Sequence, residues 1–310
     1  MQVWVGTMNF GKRTPAPEAA RIVARALERG VTRFDTANVY GDGVAERLLA
    51  EALRGVPRDR YVLATKAGLG RVDKVEEGLS RRAIVAAAHA SLARLGVSCV
   101  DLFLLHKPDP ATPVGDTLDG VAQLLAEGSI TSWGISNFAA WQTLELLHAA
   151  AGRGLSPPVS AQLLYNVVHR EVEVEYVPFA RAYGVEIVAY NPLAGGLLSG
   201  SYTGGASTGQ RLKKNPMYNA RYGSEVLRAR ADGYAALAAA HGRSLLELSY
   251  GFLASRVAAG ALCGVAIGPA TVAHLDAALT ALASPLSDEL RHAVDAAHTR
   301  ELGTDTHYTR

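Results

Sequence analysis

Leu102-Phe103-Leu104-Leu105-His106 begins with a short apolar run of the kind that forms a buried β-strand. An amphipathic segment at residues 117–125 follows it, and a second strand-like run, Ser132-Trp133-Gly134-Ile135, comes next. The order strand, helix, strand is typical of a parallel sheet, because neighbouring parallel strands need a crossover connection between them. This unit therefore predicts an α/β fold.

The same alternation extends in both directions along the chain. Eight strands joined by crossover helices are enough to close a barrel, and a single barrel fits a length of 310 residues. We therefore expect residues 1–310 to form one (β/α)8 TIM-barrel domain. The predicted strands are residues 3–7, 33–36, 62–65, 102–105, 132–135, 161–164, 187–189 and 262–267. The predicted helices include residues 18–28, 81–95, 117–125, 140–148 and 174–183.

Two regions depart from the alternation. Residues 195–223, after the seventh strand, are rich in Gly, Ser and Thr and show no apolar periodicity. A loop of that length inside a compact domain is usually functional or disordered, so we predict a long functional loop there. The polar tail after Ala297 is predicted to be irregular.

The composition argues against several classes of protein. A formal net charge of +2 without a long basic block gives no reason to expect nucleic acid as a partner, and the basic run at residues 211–214 is typical of a solvated loop. No apolar run reaches the roughly 18 residues of a membrane span. The start of the chain resembles no secretory signal, which predicts a cytoplasmic location.

The cysteines and histidines give no sign of a disulfide or a metal site. Cys99 and Cys263 lie in apolar runs that resemble strands, so we expect buried free thiols. The histidines are scattered, and no Cys or His pair has the spacing of metal ligands. The sequence therefore predicts that no metal is bound.

Polar side chains collect where the predicted strands end. In a barrel of this type the carboxyl ends of all eight strands open on one mouth, where catalytic groups lie. Asp35 and Tyr40 follow the second strand, Lys66 the third and His106 the fourth. The next three strands contribute Ser136, Asn137, Gln162 and Tyr190.

The first four of these residues form a set suited to proton transfer. Reduction of a carbonyl group by hydride leaves an alkoxide that needs a proton, and Tyr40 can provide one. A tyrosine pKa of about 10 is high for that task, so we expect a buried Lys66 ammonium to lower it. Asp35 would keep Lys66 charged, and a neutral His106 would donate a hydrogen bond to the carbonyl oxygen.

Each of the four also has an ordinary structural interpretation. Asp35 is compatible with a helix cap and Tyr40 with a packed aromatic ring. Lys66 is compatible with a surface charge and His106 with a core histidine whose hydrogen bonds are satisfied. Their joint occurrence at successive strand ends favours the chemical interpretation.

Several motifs, in the expected order, resemble the signatures of the aldo-keto reductase superfamily. They are Asp35-Thr-Ala-Asn-Val-Tyr40-Gly, Thr65-Lys66, Leu105-His106 and Gly134-Ile-Ser-Asn137-Phe. The resemblance covers nearly the whole chain and implies a barrel that binds NAD(P)H without a Gly-x-Gly-x-x-Gly loop. It implies a catalytic tetrad in which Tyr40 donates the proton, together with Asp35, Lys66 and His106.

The resemblance also implies how the nicotinamide is held. Ser136, Asn137 and Gln162 would bind its carboxamide, and Tyr190 would stack on its ring. A small-molecule carbonyl compound is the implied substrate. Related enzymes include homo-oligomers.

A narrower resemblance links the chain to the aflatoxin-aldehyde and succinic-semialdehyde reductase branch. It rests on Tyr165-Asn166-Val-Val-His-Arg170-Glu-Val-Glu173 and on Asn191-Pro-Leu193-Ala-Gly195-Gly-Leu-Leu-Ser-Gly200. In that branch the second segment wraps the cofactor pyrophosphate, and glycines such as Gly195 and Gly196 would let backbone amides approach an anion. The implied cofactor contacts are Asn191, Leu193, Gly195, Arg211, Gly268 and His274.

The branch also implies substrate contacts. Tyr218 and Arg221 match a Tyr-x-x-Arg pair, and Arg310 ends the C-terminal Tyr308-Thr309-Arg310. Two arginines over one pocket favour a carboxylate or another anionic group. A small carboxylated aldehyde is one candidate, and a larger keto compound, as for a specialised keto-sugar or secondary-metabolite ketoreductase, is the other.

The residues expected to hold the adenosine and its 2′-phosphate depart from the family pattern. Ala270 stands where the family tends to have Ser, His274 where Gln or Arg is usual, and Ala278 where Asn is usual. The family resemblance implies NADPH as the cofactor. The departures at these three positions leave NADH as the alternative. A protonated His274 would pair with the phosphate, giving an affinity that weakens as the pH rises.

Two other functions compete with carbonyl reduction. Potassium-channel β subunits resemble aldo-keto reductases and mainly regulate a partner as NADP-binding subunits, but the complete tetrad favours an enzyme. An aldolase that forms a Schiff base on Lys66 would have no use for the cofactor segment or for Tyr190. The sequence therefore predicts NADPH-dependent reduction of an aldehyde or a ketone.

Overall fold

The computed structural model describes residues 1–72, 75–200 and 216–303. Eight parallel strands close into a barrel, which confirms the predicted (β/α)8 fold. We number the barrel strands in chain order; each pairs with the next, and the eighth pairs with the first. They are β1 (Gln2–Gly6), β2 (Arg33–Asp35), β3 (Val62–Ala67), β4 (Val100–Leu105), β5 (Ile130–Ser136), β6 (Ser160–Leu164), β7 (Glu186–Tyr190) and β8 (Gly264–Ile267).

Helices surround the strands, and several begin at a serine or threonine whose hydroxyl accepts a backbone N–H bond. Ser80, Ser224, Ser244, Thr271 and Ser287 cap their helices in this way. In the part of the chain that the structure describes, no helix is long and apolar enough to cross a membrane. The helices are α1 (Ala16–Glu28), α2 (Val44–Ala52), α3 (Arg81–Leu95), α4 (Val114–Ala126), α5 (Ala140–Ala151), α6 (Tyr176–Tyr183), α7 (Pro216–Tyr222), α8 (Glu225–Ala240), α9 (Leu245–Ala258), α10 (Val272–Leu282) and α11 (Asp288–Leu302).

The strands pack on both faces, as the continuous apolar run of β4 predicts. Successive side chains of a strand point to opposite faces. Leu102 and Leu104 belong to a small cluster inside the barrel, whereas Phe103 and Leu105 pack in the large core between the strands and the helices. Because the interior is filled with side chains, the strand ends at the barrel mouth are the place left for a site.

The structure corrects the predicted surroundings of both cysteines. β4 begins at Val100 and β8 at Gly264, so Cys99 and Cys263 each precede a strand. Both thiols are free, and both side chains are half-buried instead of fully buried. The Cys263 thiol donates a hydrogen bond to the carbonyl oxygen of Ile187 at 3.2 Å.

The predicted long loop at residues 195–223 is partly wrong. A tight turn spans Ala194–Ser199, and α7 covers Pro216–Tyr222. The residues between 200 and 216 lie outside the described residues. The segment therefore carries a helix that its composition does not predict.

Charged side chains dock α11 against the barrel. Asp295 of α11 accepts hydrogen bonds from Arg170 at 2.8 Å and from Arg256 at 2.5 Å. Both guanidinium groups lie over the ring of Phe252, at 5.1 and 4.8 Å from its centroid. The prediction of an irregular tail after Ala297 is therefore wrong as far as Leu302, where α11 ends. The sequence does not reveal this helix because ion pairs replace much of the apolar contact that a helix usually makes.

The buried carboxylate of Glu46 connects α2 to β3 at the residue that precedes Lys66. The side chain of Glu46 is 0% exposed. Its Oε1 atom accepts a hydrogen bond from Thr65 Oγ1 at 2.7 Å, and its Oε2 atom lies 2.5 Å from Arg94 Nε. Because Thr65 precedes Lys66 in β3, this contact joins α2 and α3 to the strand that carries Lys66.

Replacement of Glu46 should therefore destabilise the fold. We expect Glu46→Gln to lower the free energy of unfolding by about 3 kcal/mol, because Arg94 loses its charge partner in a buried setting. The control is Glu51→Gln in the same helix: that side chain is 63% exposed and lies 3.7 Å from Arg54. The control should cost less than about 0.5 kcal/mol. Equal losses in urea unfolding would contradict the structural role of Glu46.

Candidate active site

The predicted tetrad residues meet at the mouth of the barrel. Asp35 is the last residue of β2, Lys66 lies near the end of β3, and His106 directly follows β4. Tyr40 lies in the loop between β2 and α2 and is half-buried. The closed barrel brings the ends of these strands together, as the sequence predicts.

Lys66 and Asp35 form the predicted ion pair. Lys66 Nζ lies 2.6 Å from both carboxylate oxygens of Asp35 and donates a third hydrogen bond to the Thr36 carbonyl at 2.9 Å. The Lys66 side chain is 0% exposed. Burial lowers the pKa of Lys66, and the Asp35 carboxylate opposes that shift. The alternative interpretation of Lys66 as a surface charge is therefore wrong.

Tyr40 packs beside both His106 and Lys66. The rings of Tyr40 and His106 meet edge to face, with centroids 6.1 Å apart, and Lys66 Nζ lies 5.3 Å from the Tyr40 ring centroid. Burial raises the pKa of Tyr40 well above its usual value, and the charge of Asp35 raises it further. The prediction of a lowered Tyr40 pKa is wrong here, because burial disfavours the phenolate and the Asp35 carboxylate repels it.

His106 is neutral, as predicted. Burial, followed by the positive charge of Lys66, lowers the pKa of His106 to about 3. Its Nδ1 atom is buried and has no hydrogen-bond partner among the described residues. His106 is therefore not a core histidine with satisfied hydrogen bonds, and its imidazole retains bonding capacity.

A network of amides and hydroxyls connects the tetrad to β5, β6 and β7. Gln162 Nε2 donates to Asp35 Oδ1 at 3.0 Å, and Ser136 Oγ donates to the Gln162 carbonyl at 3.0 Å. Asn137 Nδ2 donates to the His106 carbonyl at 2.9 Å and to Ser136 Oγ at 3.0 Å. The Tyr190 hydroxyl completes the network by donating to Asn137 Oδ1 at 2.6 Å.

This network fits a nicotinamide carboxamide by its chemistry. Ser136, Asn137 and Gln162 offer a hydroxyl and two primary amides, which are neutral donors and acceptors like the carboxamide itself. Asn137 has a left-handed backbone with φ of 65°, a conformation that asparagine tolerates better than most residues. The sequence identifies these residues, but their bonds to Asp35 and His106 depend on tertiary contacts that it does not reveal.

In the turn after β7, two of the amides that were expected to approach an anion are bonded within the turn itself. The Gly195 amide donates to Asn191 Oδ1 at 2.9 Å, and the Gly196 amide donates to the Leu193 carbonyl at 2.8 Å. These two amides are therefore engaged within the turn instead of pointing at an anion. Gly195 has φ of +68°, and a Cβ there would lie 2.6 Å from Tyr218 Cδ1. Glycine is required at this position because an aromatic ring covers it.

Helix α7 supplies that aromatic cover. Tyr218 and Tyr222 are buried, and their rings stack with centroids 6.0 Å apart. Asn191 Nδ2 donates a hydrogen bond to the Tyr222 hydroxyl, and His169 packs edge to face on the Tyr222 ring at 5.3 Å. Sequence reasoning does not single out Tyr222, since one more tyrosine in a polar segment carries no pattern of its own.

Of the residues predicted to contact substrate, Tyr218 and Arg221 lie three residues apart on α7, and both adjoin Tyr190. Tyr218 lies in the stack against Gly195 and donates a weak hydrogen bond to the Met8 sulfur at 3.7 Å. Arg221 lies beside the hydroxyls of Tyr190 and Tyr222. Arg310 and the predicted cofactor contact Arg211 lie outside the described residues.

The segment after β8 contacts the loop that follows β1 and then leads into α10. The Gly268 carbonyl accepts a hydrogen bond from Asn9 Nδ2 at 2.9 Å, and Thr271 caps α10 by accepting from the His274 amide at 3.2 Å. His274 is exposed in the first turn of α10, and partial burial together with the charge of Arg13 lowers its pKa. Ala278 is buried in the core and has no polar side-chain group to offer a ligand.

Comparison with known proteins agrees with this geometry. The model of the aldo/keto reductase family matches residues 2–298. Human aflatoxin B1 aldehyde reductase member 2 is 40% identical over 200 residues, which cover 64% of this chain and 55% of that protein. Human aldo-keto reductase family 7 member A3 is also 40% identical over 200 residues, covering 64% of this chain and 59% of that protein.

A third relative carries a different name. The putative voltage-gated potassium channel subunit beta of Schizosaccharomyces pombe is 34% identical over 193 residues, covering 61% of this chain and 56% of that protein. The matched region therefore spans little more than half the length of these relatives. The match to the family model extends over nearly the whole chain, and the protein belongs to the aldo/keto reductase family.

The lowered pKa of His106 predicts a specific acid sensitivity. The native state keeps His106 neutral down to a pKa of about 3, whereas the unfolded chain takes up a proton near pH 6.5. Because the unfolded state then binds more protons, native stability is lost as the pH falls below 6.5. Between pH 6.5 and 5 the wild type should lose about 2 kcal/mol more than His106→Gln, as measured by urea unfolding.

The control for this measurement is His292→Gln, which makes the same change at an exposed histidine of α11. It should leave the acid sensitivity of the wild type unchanged. A His106→Gln protein that loses stability with pH as steeply as the wild type would show that His106 titrates normally.

Proposed function

We propose that the protein reduces an aldehyde or a ketone to the alcohol with a nicotinamide cofactor, NADPH being the one that the family implies. The observation that carries this proposal is the buried Asp35–Lys66 ion pair with Tyr40 and a neutral His106 beside it. These groups lie at the barrel mouth, where enzymes with this fold place their chemistry. The amide network from Ser136 to Gln162 gives the cofactor ring a matching set of partners.

The bound cofactor would supply hydride to the carbonyl carbon. The chain's residues act on the carbonyl oxygen. His106, being neutral, donates a hydrogen bond that orients and polarises the carbonyl. Tyr40 then transfers its phenolic proton to the oxygen as negative charge develops there.

The raised pKa of Tyr40 is compatible with this role. A phenol of high pKa stays protonated throughout the physiological range, so the proton is always present. An alkoxide is a stronger base than an ordinary phenolate, and this difference favours the transfer. The Lys66 ammonium, 5.3 Å from the centre of the Tyr40 ring, would stabilise the phenolate that the transfer leaves.

The substrate is best sought among aldehydes. Two of the relatives with 40% identity are named as aflatoxin B1 aldehyde reductases. A carboxylated aldehyde and a larger keto compound both remain candidates. The regulatory-subunit alternative draws support from the potassium-channel relative, but the intact ion pair and tetrad favour an enzyme.

Tyr40→Phe should separate catalysis from cofactor binding. We expect kcat for reduction of 4-nitrobenzaldehyde with NADPH to fall at least about 100-fold, because the variant has no proton to give. The Kd for NADPH should stay within about twofold of the wild-type value, since phenylalanine keeps the aromatic ring of the side chain. Turnover is followed at 340 nm and binding by protein fluorescence.

Tyr183→Phe is the matched control, because that side chain is 50% exposed on α6. It should behave like the wild type. Full activity of Tyr40→Phe would rule out Tyr40 as the proton donor. Tight NADPH binding by a wild type that reduces no carbonyl compound would favour the regulatory subunit.

His274 gives a second prediction about the cofactor. Since its pKa is lowered, His274 is neutral at pH 7 and gains charge only in acid. We expect the Kd for NADP+ to fall about threefold between pH 7.5 and pH 5.5 relative to His274→Gln, because only the wild type gains a cation near the 2′-phosphate. The 2′-phosphate of the cofactor also changes its charge in this pH range, and it does so with both proteins. His274→Gln therefore serves as the control. Parallel pH profiles of the two proteins would exclude the contact.

A further inference from the structure

Asn38 attaches the loop between β2 and α2 to the end of β3 by two hydrogen bonds. Its backbone amide donates to the Lys66 carbonyl at 3.1 Å, and its side-chain Nδ2 donates to Glu77 Oε1 at 2.7 Å. Of residues 36–39, all of which the structure describes, only Asn38 makes a side-chain hydrogen bond. The Thr36 hydroxyl is buried without a partner, and the other two side chains are apolar. The bond to Glu77 therefore fixes this stretch of the loop.

Glu77 is itself held by the segment that follows β3. A short antiparallel hairpin, Arg71–Val72 paired with Val75–Glu76, turns the chain back so that Glu77 meets Gly68 and Gly70. Glu77 Oε2 accepts hydrogen bonds from the Gly68 amide at 2.6 Å and from the Gly70 amide at 3.3 Å. A Cβ on Gly70 would lie 3.2 Å from this oxygen, so glycine leaves room for the carboxylate. The carboxylate is thus anchored to the end of β3.

The same loop carries Tyr40, two residues after Asn38. The Tyr40 amide donates to the Ala37 carbonyl at 3.1 Å, which closes a tight turn. The Tyr40 carbonyl accepts from the Ala45 amide at 3.2 Å, at the start of α2. Because Asn38 lies inside the turn, a displacement of its side chain is passed on to the Tyr40 ring.

We propose that Glu77 is a positioning residue for the proton donor: it fixes Asn38, and through Asn38 the place of the Tyr40 hydroxyl relative to the substrate carbonyl. The inference rests on the proposed function, because it takes Tyr40 as the donor. Without Glu77, Asn38 keeps only its backbone bond to Lys66, and the turn can pivot about it. A misplacement of about 1 Å in a reacting group can cost about 100-fold in rate.

Cofactor affinity should not depend on this contact. The proposed partners of the nicotinamide lie on β5, β6 and β7, on other strands of the barrel than the loop after β2. A loss of rate without a loss of cofactor affinity is therefore the signature of a misplaced proton donor.

The test reverses the polarity of the hydrogen bond between positions 38 and 77. Asn38→Asp places a second carboxylate against Glu77, and the two charges repel each other. Adding Glu77→Gln restores a bond, because the new amide at position 77 can donate to the new carboxylate at position 38. The oxygen of that amide can still accept from the Gly68 amide. Glu225→Gln is the control, since Glu225 is exposed at the start of α8.

Reduction of 4-nitrobenzaldehyde with NADPH is measured on the full chain in H2O and in D2O. We expect Asn38→Asp to lower kcat about 10- to 100-fold and to leave the Kd for NADPH within about twofold of the wild-type value. The ratio of kcat in H2O to kcat in D2O should rise, because proton transfer then limits the rate more strongly. Glu225→Gln should match the wild type in all three quantities.

The double variant Asn38→Asp with Glu77→Gln should recover most of the lost kcat and the wild-type isotope ratio. It still carries the new carboxylate two residues from Tyr40, so its recovery excludes a direct effect of that charge on the phenol. Glu77→Gln by itself should lower kcat by a smaller factor and raise the isotope ratio, because one amide can still accept a hydrogen bond from the other. This variant keeps the test decisive if Asn38→Asp does not fold.

Urea unfolding without cofactor shows whether each variant folds and measures the coupling between the two positions. If kcat falls in proportion to stability while the isotope ratio stays at the wild-type value, the contact supports only the fold and the inference is wrong. A double variant no more active than Asn38→Asp would also overturn it. A wild type that reduces no carbonyl compound would end the proposed function and the inference together, whereas an active wild type with unaffected variants would end the inference alone.

Discussion

A charge buried inside the barrel mouth is the constraint on which the site depends. Lys66 has no access to water, so its ammonium must find all its partners within the protein. Asp35 and the Thr36 carbonyl provide them, and Asp35 in turn accepts a hydrogen bond from Gln162. Breaking such a pair leaves an uncompensated buried charge. The free-energy cost of that charge favours the arrangement in which the ends of β2, β3 and β6 stay together around the site.

β3 carries a second polar anchor on its other face. Thr65 and Lys66 are consecutive, so their side chains point to opposite sides of the strand. Lys66 meets Asp35 on the cavity side, and Thr65 meets the buried Glu46 on the helix side. The loop that carries Tyr40 connects β2 to α2 and thus runs between these two carboxylates. The position of Tyr40 follows from both anchors.

The fold and the tetrad could be predicted because their signals are local. Strand periodicity and residue types at strand ends are visible in short windows, and α3 has the predicted bounds. The hydrogen bond from Gln162 to Asp35 joins residues 127 positions apart, and no local pattern announces it. Helix α9 was not predicted because it is buried on nearly all sides and so lacks an amphipathic pattern. Helix α11 was not predicted as far as Leu302 because ion pairs, and not an apolar face, hold much of it against the barrel. The pKa of Tyr40 could not be predicted, since it depends on burial as well as on the neighbouring charges.

The closure of the ring between β1 and β8 has a consequence for how the protein is made. Gln2 pairs with Gly264 and Val5 with Ile267, so β1 finds one of its two neighbours only after all the other strands of the barrel have been synthesised. Until then β1 and the newest strand both present open edges, which other chains can pair with. Contacts of such long sequence separation form slowly. The nascent barrel therefore depends on protection of these edges until β8 arrives.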